Sequence, residues 1–402
     1  MRCPQVKPGD RGGARLAPGY PEGMPDFSFD RLRRHPDVEA ENLFAVDASD
    51  RLILDEAAAD LAAAGPGEVV VLEDHYGALT LGAAALHGAR GIRTHQDGLS
   101  GEQALARNAA ESGLAEAYRS LPLGEELLAG ARVVLLQLPR SLSALDELAD
   151  AVRRFASPHV RVFAGGRIKH MTIAMNEVLG RHFGELQVSP ARQKSRVLIA
   201  SAPLPVTDAP AWPRVARHDD LTLGLSLTVC AHGAAFAGTT IDIGTRFLLE
   251  FLDRMKPDAG SAIDLGCGTG VLAAALARRR PGLRLIATDQ SAAAVASARA
   301  TMEANGVADR VRVVRDDALG SRPDASAELI VLNPPFHIGS SVHAGIALKL
   351  FEDAARVLRP GGELWTVWNT HLGYRPALTR IVGPTHQVAR NAKFTVTVST
   401  RP

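Results

Sequence analysis

Ser261-Ala262-Ile263-Asp264-Leu265-Gly266-Cys267-Gly268-Thr269-Gly270 is an apolar run that opens into a glycine-spaced loop, with an Ala/Leu-rich segment directly behind it. The run predicts a buried strand, and the Ala/Leu segment predicts a helix. Glycines at alternate positions allow backbone turns and a close approach that side chains would block, so the loop suits a bound nucleotide. An ordinary tight turn between a strand and a helix has the same letters. Cofactor-binding candidates here are Asp264, Gly266, Cys267, Gly268 and Gly270.

The next strand, Arg284-Leu285-Ile286-Ala287-Thr288, ends at Asp289-Gln290. A carboxylate ~20 residues beyond such a loop can accept hydrogen bonds from both hydroxyls of a ribose. After a further strand over 311–314 comes Asp316-Asp317-Ala318-Leu319, where a carboxylate can take a proton from an adenine amino group. Asp317 is the first choice and Asp316 the second; a surface turn is the alternative. Leu329-Ile330-Val331-Leu332 then ends abruptly in Asn333-Pro334-Pro335-Phe336-His337. Consecutive prolines hold the backbone extended and offer no N–H. What remains is the Asn333 amide, a row of carbonyls and a flat ring, which suit a planar group carrying an NH2. Asn333, Pro334, Pro335 and Phe336 are therefore the catalytic candidates, and Asn333 is also a cofactor-binding candidate, with Asp289, Gln290, Asp317 and Ala318.

The same order of elements occurs earlier in the chain. Glu68-Val69-Val70-Val71-Leu72 reads as a strand, Gly77 precedes an Ala/Leu helix, and Gly91-Ile92-Arg93-Thr94-His95 leads to a long helix over 101–112 and a strand at 132–136. Gly77 and Gly270, Ile92 and Leu285, and Gly113 and Gly306 are each 193 residues apart. A fixed offset over several elements argues for internal duplication. Strands alternating with helices of this length imply parallel α/β sheets. The fold expected is α/β, two tandem doubly wound (Rossmann-like) units. The first is degenerate: it has Val71-Leu72-Glu73-Asp74-His75-Tyr76-Gly77 in place of the glycine loop, and Gln137-Leu138-Pro139-Arg140, or a one-residue slip of it, in place of Asn333-Pro334-Pro335-Phe336. The divisions expected are 1–25 as a disordered extension, 26–205 as the degenerate unit and 206–402 as the catalytic one, with a proline-marked linker around 202–217.

At 402 residues, 46% hydrophobic and 22% charged, the chain has the composition of a soluble two-domain protein. No apolar segment reaches the ~20 residues of a membrane span. The Gly/Pro/Arg-rich start lacks the apolar core of a signal peptide, and Met24 offers a second start. Cys3, Cys230 and Cys267 form no CxxC pair, so neither zinc nor disulfides are indicated, and a reducing cytoplasm is expected. A formal net charge of +1 means that any nucleic-acid contact comes from a local patch. Arg167, Lys169, His170, Arg192, Lys194 and Arg196 are candidates for such a patch, with solvated surface charge as the bland alternative.

The glycine loop, Asp289, Asp317 and the Asn-Pro-Pro-Phe-His run together resemble class I methyltransferases that use S-adenosyl-L-methionine, and within them the methyltransferase small group. The doubled architecture, Asn42-Leu43-Phe44-Ala45-Val46-Asp47-Ala48-Ser49-Asp50, Ile241-Asp242-Ile243-Gly244-Thr245-Arg246, Asn369-Thr370-His371-Leu372-Gly373-Tyr374 and Asn391-Ala392-Lys393-Phe394 are similar to the RsmC/RlmG type of ribosomal RNA guanine-N2 methyltransferase. The resemblance departs at the N-terminal extension and at Gln193-Lys194-Ser195-Arg196. It implies methyl transfer from S-adenosyl-L-methionine to the N2 of a guanine in ribosomal RNA, with the closing segment favouring the large subunit. It also implies ribosomal RNA or a ribosomal subunit as partner, and Thr245 and Arg246 beside the cofactor pocket, where an N-terminal helix cap is the alternative reading of these two. His337 becomes a contact to phosphate or base, or a structural histidine. A cytoplasmic monomer without metal is expected. The residues leave open an adenine N6 methyltransferase, a protein glutamine methyltransferase and a non-catalytic RNA-binding assembly factor.

Overall fold

The computed structural model describes residues 27–220, 224–335 and 341–402. The extension 1–25, Phe336 and His337 lie outside the described residues. In the first half β1 (Val69–Leu72), β2 (Ile92–His95), β3 (Tyr118–Ser120), β4 (Val133–Gln137), β5 (Arg161–Arg167), β6 (Phe183–Val188) and β7 (Ser195–Pro203) form one sheet, in the order β3-β2-β1-β4-β5-β7-β6. A hairpin of β8 (Arg214–Asp220) and β9 (Leu225–Ala231) follows. The second half has β10 (Ser261–Leu265), β11 (Arg284–Asp289), β12 (Val311–Arg315), β13 (Ala327–Leu332), β14 (Leu358–Asn369), β15 (Thr385–Arg390) and β16 (Phe394–Thr400), in the order β12-β11-β10-β13-β14-β16-β15. The two orders are the same pattern. In each sheet the first five strands are parallel, and the last two add antiparallel at one edge.

Both faces of each sheet are covered, which is why the central strands read as unbroken apolar runs. Ile263, Leu265, Ile330 and Leu332 pack into one cluster with Phe351, whereas Ala262, Leu329 and Val331 pack into the other, behind the helix Val271–Arg279. Register aligns the two halves: Leu72 faces Leu136 and Leu265 faces Leu332, so Gln137 and Asn333 occupy matching positions, one residue past those pairs. The helices Leu99–Glu111 and Ala292–Ala304 have both termini 193 residues apart.

The halves meet about a pseudo-twofold axis. Gly98 and Ser291, equivalent residues, form an antiparallel bridge. Leu99 N donates to Gln290 O (3.1 Å), and its equivalent Ala292 N donates to Asp97 O (2.9 Å). This is the self-complementary contact of a twofold dimer, here made within one chain.

The expected linker is shorter than 202–217, because β7 runs to Pro203 and β8 begins at Arg214. Arg214-Val215-Ala216-Arg217-His218-Asp219-Asp220 shows little apolar alternation, since only its partner β9 turns Leu225, Leu227 and Val229 into the core. The helix expected over 101–112 starts two residues earlier, at Leu99. No helix among the described residues is long and apolar enough to cross a membrane, and no group of three or more His, Cys, Asp or Glu among them is arranged to hold a metal ion.

Gly270 has φ 81°, and a Cβ there would lie 2.7 Å from Met302 Cε and 3.1 Å from Ala298 Cβ. Gly270→Ala is expected to destabilise the second half by about 2 kcal/mol or more, from left-handed strain and overpacking. A denaturant midpoint equal to that of the wild type would contradict this packing.

Candidate functional site

A cavity of about 390 Å³ opens at the C-terminal ends of β10, β11 and β13, the end of a parallel sheet where loops converge on ligands. Gly266 (φ 68°) and Gly268 (φ 53°) line it, and nothing lies within 4 Å of where a Cβ on either would stand. Cys267 lines it as well, its thiol pushed far up by burial. Asp264 and Gly270 stand behind the wall. The Asp264 Oδ2 accepts from Ala273 N (2.9 Å) at the start of the following helix, while Oδ1 is buried without a partner. Burial pushes this carboxyl up to about 7, with the Asp289 carboxylate adding to the shift.

Asp289 lines the cavity at the end of β11, accepting from Gly268 N and Ser291 N, both at 2.9 Å. It ties the glycine loop to its own turn, and burial raises its pKa. Gln290 and Ala318 line the cavity beside it. Asp316 closes its own turn on Ser321, whereas Asp317 is held at 2.5 Å by Lys349, another lining residue.

Asn333, Pro334 and Pro335 form the opposite wall. The Asn333 Nδ2 donates to Asp242 Oδ2 (3.0 Å) and to Thr245 Oγ1 (2.9 Å). Asp242 caps the helix Ile243–Leu249 by accepting from Thr245 N (3.1 Å). An ionised carboxylate only accepts, so the amide nitrogen must face Asp242 and the oxygen must face away. The Asn333 Oδ1 is buried and has no hydrogen-bond partner among the described residues. Thr245 thus reaches the cavity, while Arg246 pairs with Asp220 at 3.7 Å.

Sequence reading did not find Asp242 as the orienting partner, although Asp242-Ile243-Gly244-Thr245 has the lettering of a helix cap. It also missed the contribution of the first half. Pro36, Asp37, Val38 and Ser100 line the same cavity. The Asp97 Oδ1 accepts from Ser291 Oγ (2.8 Å) and Ala293 N (2.9 Å), and Ser100 Oγ donates to Gln290 Oε1 (3.2 Å). From the second half, Arg315 reaches Glu102 (2.7 Å) and the carbonyls of Gln96, Asp97 and Gln290.

The equivalent loop in the first half follows the same path with different side chains. Glu73 (φ 58°), His75 (φ 60°) and Gly77 (φ 103°) match the three glycines of the second half in sign. Asp74 accepts from Leu79 N (2.7 Å) and Thr80 N (2.8 Å), the latter being the counterpart of Ala273. Gln137 Nε2 donates to Asp50 Oδ1 (2.6 Å) and Ser49 Oγ (3.0 Å), as Asn333 does to Asp242 and Thr245. Of the basic candidates, Arg167 (paired with Asp47 at 3.4 Å), Lys169 and His170 line a cavity in this half. Arg192, Lys194 and Arg196 do not line it; they follow on the neighbouring turn into β7, and Arg192 pairs with Asp55.

Comparison with known proteins places these features in context. The RLMG N-terminal domain model matches residues 24–204, and the Methyltransferase small domain model matches residues 226–398. The chain is 35% identical to the ribosomal RNA large subunit methyltransferase G of Streptomyces avermitilis, over 91% of this chain and 95% of that protein. It is likewise 35% identical to the Pseudomonas aeruginosa protein of the same name, over 91% and 96%. A solved T. thermophilus 16S rRNA N2 methyltransferase (RsmC), in complex with AdoMet and guanosine, has the same fold, with TM-score 0.69 and 23% identity over 93% of this chain and 99% of that one.

Asp264 at about 7 and Asp50 at about 8, both raised chiefly by burial, hold their protons in the folded chain at pH values below these. Unfolded, each ionises near its ordinary value, so rising pH favours the unfolded state until the folded groups themselves ionise. Thermal stability is expected to fall from about pH 5 to about pH 8, with a shallower fall in Asp50→Asn. Calorimetry across that range checks it, and equal slopes in the two proteins would contradict the assignment.

Proposed function

Since the chain belongs to the family of ribosomal RNA large subunit methyltransferase G, we propose that it transfers a methyl group from S-adenosyl-L-methionine to the exocyclic N2 of a guanine in large-subunit ribosomal RNA. The observation that carries this reading is the buried, unpartnered Asn333 Oδ1 at the wall of the cavity. A buried acceptor without a donor costs about 1–3 kcal/mol, and a substrate N–H removes that cost.

The cavity fits the cofactor. Open space over Gly266 and Gly268 lets a ligand approach the backbone, and the cavity-lining Asp289 is assigned to the ribose hydroxyls. Asp317 and Ala318 are assigned to the adenine edge, with Cys267 and Gln290 flanking. Asp264 and Gly270 serve from behind the wall, one holding the helix start and the other its packing. When bound, the cofactor supplies a methyl group on a sulfonium, a leaving group good enough to need no strong base.

The chain's own part is positioning. A guanine amine is a poor nucleophile because its lone pair is delocalised into the ring. Asn333 Oδ1 accepts one of its N–H bonds and the Pro334 carbonyl accepts the other, which directs the lone pair outward. Asp242 and Thr245 keep the amide from rotating. Such orientation can supply several kcal/mol of the barrier, roughly 7–11 kcal/mol in well-aligned cases. The proton leaves to water after transfer. Phe336 is assigned to stacking on the base and His337 to a base or phosphate contact.

We assign 26–205 to a non-catalytic RNA-holding unit and 206–402 to the catalytic unit. Arg167, Lys169, Arg192, Lys194 and Arg196 of the first unit are assigned to RNA phosphates. A cytoplasmic monomer fits this arrangement, because the face that would join two copies is already used between the halves.

Asn333→Ala is expected to abolish turnover while leaving S-adenosyl-L-methionine affinity within a few fold; a large loss of affinity would show its role to be misassigned. Mass mapping of ribosomal RNA from cells lacking the gene should show loss of a single N2-methylguanosine. An unchanged map, or a lost N6-methyladenosine, overturns the reading. Asp97→Ala should raise the cofactor Kd about tenfold, the scale of one or two lost hydrogen bonds, although Asp97 does not line the catalytic cavity. Titration calorimetry measures it, and an unchanged Kd would show that the first half does not shape the Asp289 turn.

A further inference from the structure

The cleft of the first half is the larger of the two: about 870 Å³ against about 390 Å³. Three features distinguish it. Phe44 lines it yet is 73% exposed, a flat ring left open by the described residues. Arg140, Lys169 and His170 line it together with Arg167. Burial first, and then the charges of Arg140, Lys169 and Arg167, make His170 harder to protonate, which marks how closely these cations are gathered. Neither Arg140 nor Lys169 has an ion pair among the described residues.

The acids of the cleft are engaged within the fold: Asp74, raised by burial, accepts from Leu79 N and Thr80 N, and Asp97 accepts from Ser291 Oγ and Ala293 N. Asp47 is paired with Arg167 (3.4 Å). Glu147 accepts from His232 (2.5 Å) and Gly233 N (2.6 Å). Burial pushes Asp50 up to about 8, and burial with the Asp97 carboxylate does the same to half-buried Glu73. An exposed ring beside uncompensated cations is the pairing that holds an unstacked base and its phosphate. A second S-adenosyl-L-methionine does not suit the cleft, since Glu73 and His75 place side chains where Gly266 and Gly268 leave room.

We propose that this cleft binds one unpaired nucleotide of the RNA substrate, its base on Phe44 and its phosphate among Arg140, Lys169 and His170. The inference rests on the reading of the chain as an RNA methyltransferase and adds a second holding point on the same strand. The two cavities adjoin: Arg34 lines one and Asp37 the other, as do Ala293 and Gln290.

The test uses the full chain and a fluorescein-labelled single-stranded oligoribonucleotide from the methylated region, read by anisotropy over a salt series. Phe44→Ala should weaken binding about tenfold, the loss of one stacking platform. Lys169→Glu should lower the salt slope by about one or more. Both should raise KM for RNA and leave the cofactor Kd unchanged. Equal RNA affinity and equal salt slope in both variants overturn the proposal. Binding of guanosine monophosphate that the oligonucleotide cannot displace also overturns it, by assigning the cleft to a free nucleotide. If the wild type binds oligonucleotide in the expected way but methylates no ribosomal RNA, the proposed function fails while the cleft assignment stands. If it methylates normally and neither variant changes KM, the cleft assignment fails alone.

Discussion

The Asn333 side chain has two N–H bonds, and both are taken. Asp242 and Thr245 accept them at 3.0 and 2.9 Å, and this leaves the carbonyl oxygen of a cavity-lining residue buried with no hydrogen-bond partner among the described residues. The arrangement depends on two things that must agree. The end of β13 has to deliver Asn333 beside the start of the helix Ile243–Leu249, and Asp242 has to cap that helix through Thr245 N while keeping Oδ2 available. Gly244 belongs to this fit, because a Cβ there would lie 3.0 Å from Asp242 Oδ2.

The first half solves the same local problem without the same chemistry. Gln137 is tied to Ser49 and Asp50 in the first turn of the helix Ala48–Glu56, whereas Asn333 is tied to the cap residue Asp242 and to Thr245, and Glu73 and His75 hold left-handed conformations where the second half has glycine. The comparison separates two roles of glycine. The turn can be built from ordinary residues at some strain, so Gly266 and Gly268 serve chiefly to leave space above the loop, whereas Gly270 is required by its contacts with Met302 and Ala298.

The contact between the halves is more than a tether. Asp97 fixes the Ser291 turn, Arg315 returns to the carbonyls of Gln96 and Asp97, and the turn so held carries Asp289. A unit without the glycine loop therefore builds part of the wall around the one that has it.

The strand ends, the glycine loop, Asp289 and the Asn-Pro-Pro run were legible in the sequence, because each is a local pattern: an apolar run broken by residues that only a turn or a ligand explains. The duplication was legible because insertions between the copies are few, and the offset of 193 is kept through the helices Leu99–Glu111 and Ala292–Ala304. β8 read as linker because an exposed hairpin strand needs no apolar alternation of its own. The partnership of Asn333 with Asp242, the wall contributed by Asp37 and Ser100, and the gathering of Arg140 and Lys169 beside Phe44 were decided by tertiary structure alone. These contacts join residues far apart in the chain, and side-chain periodicity records which face a residue turns inward but not which distant residue it meets there.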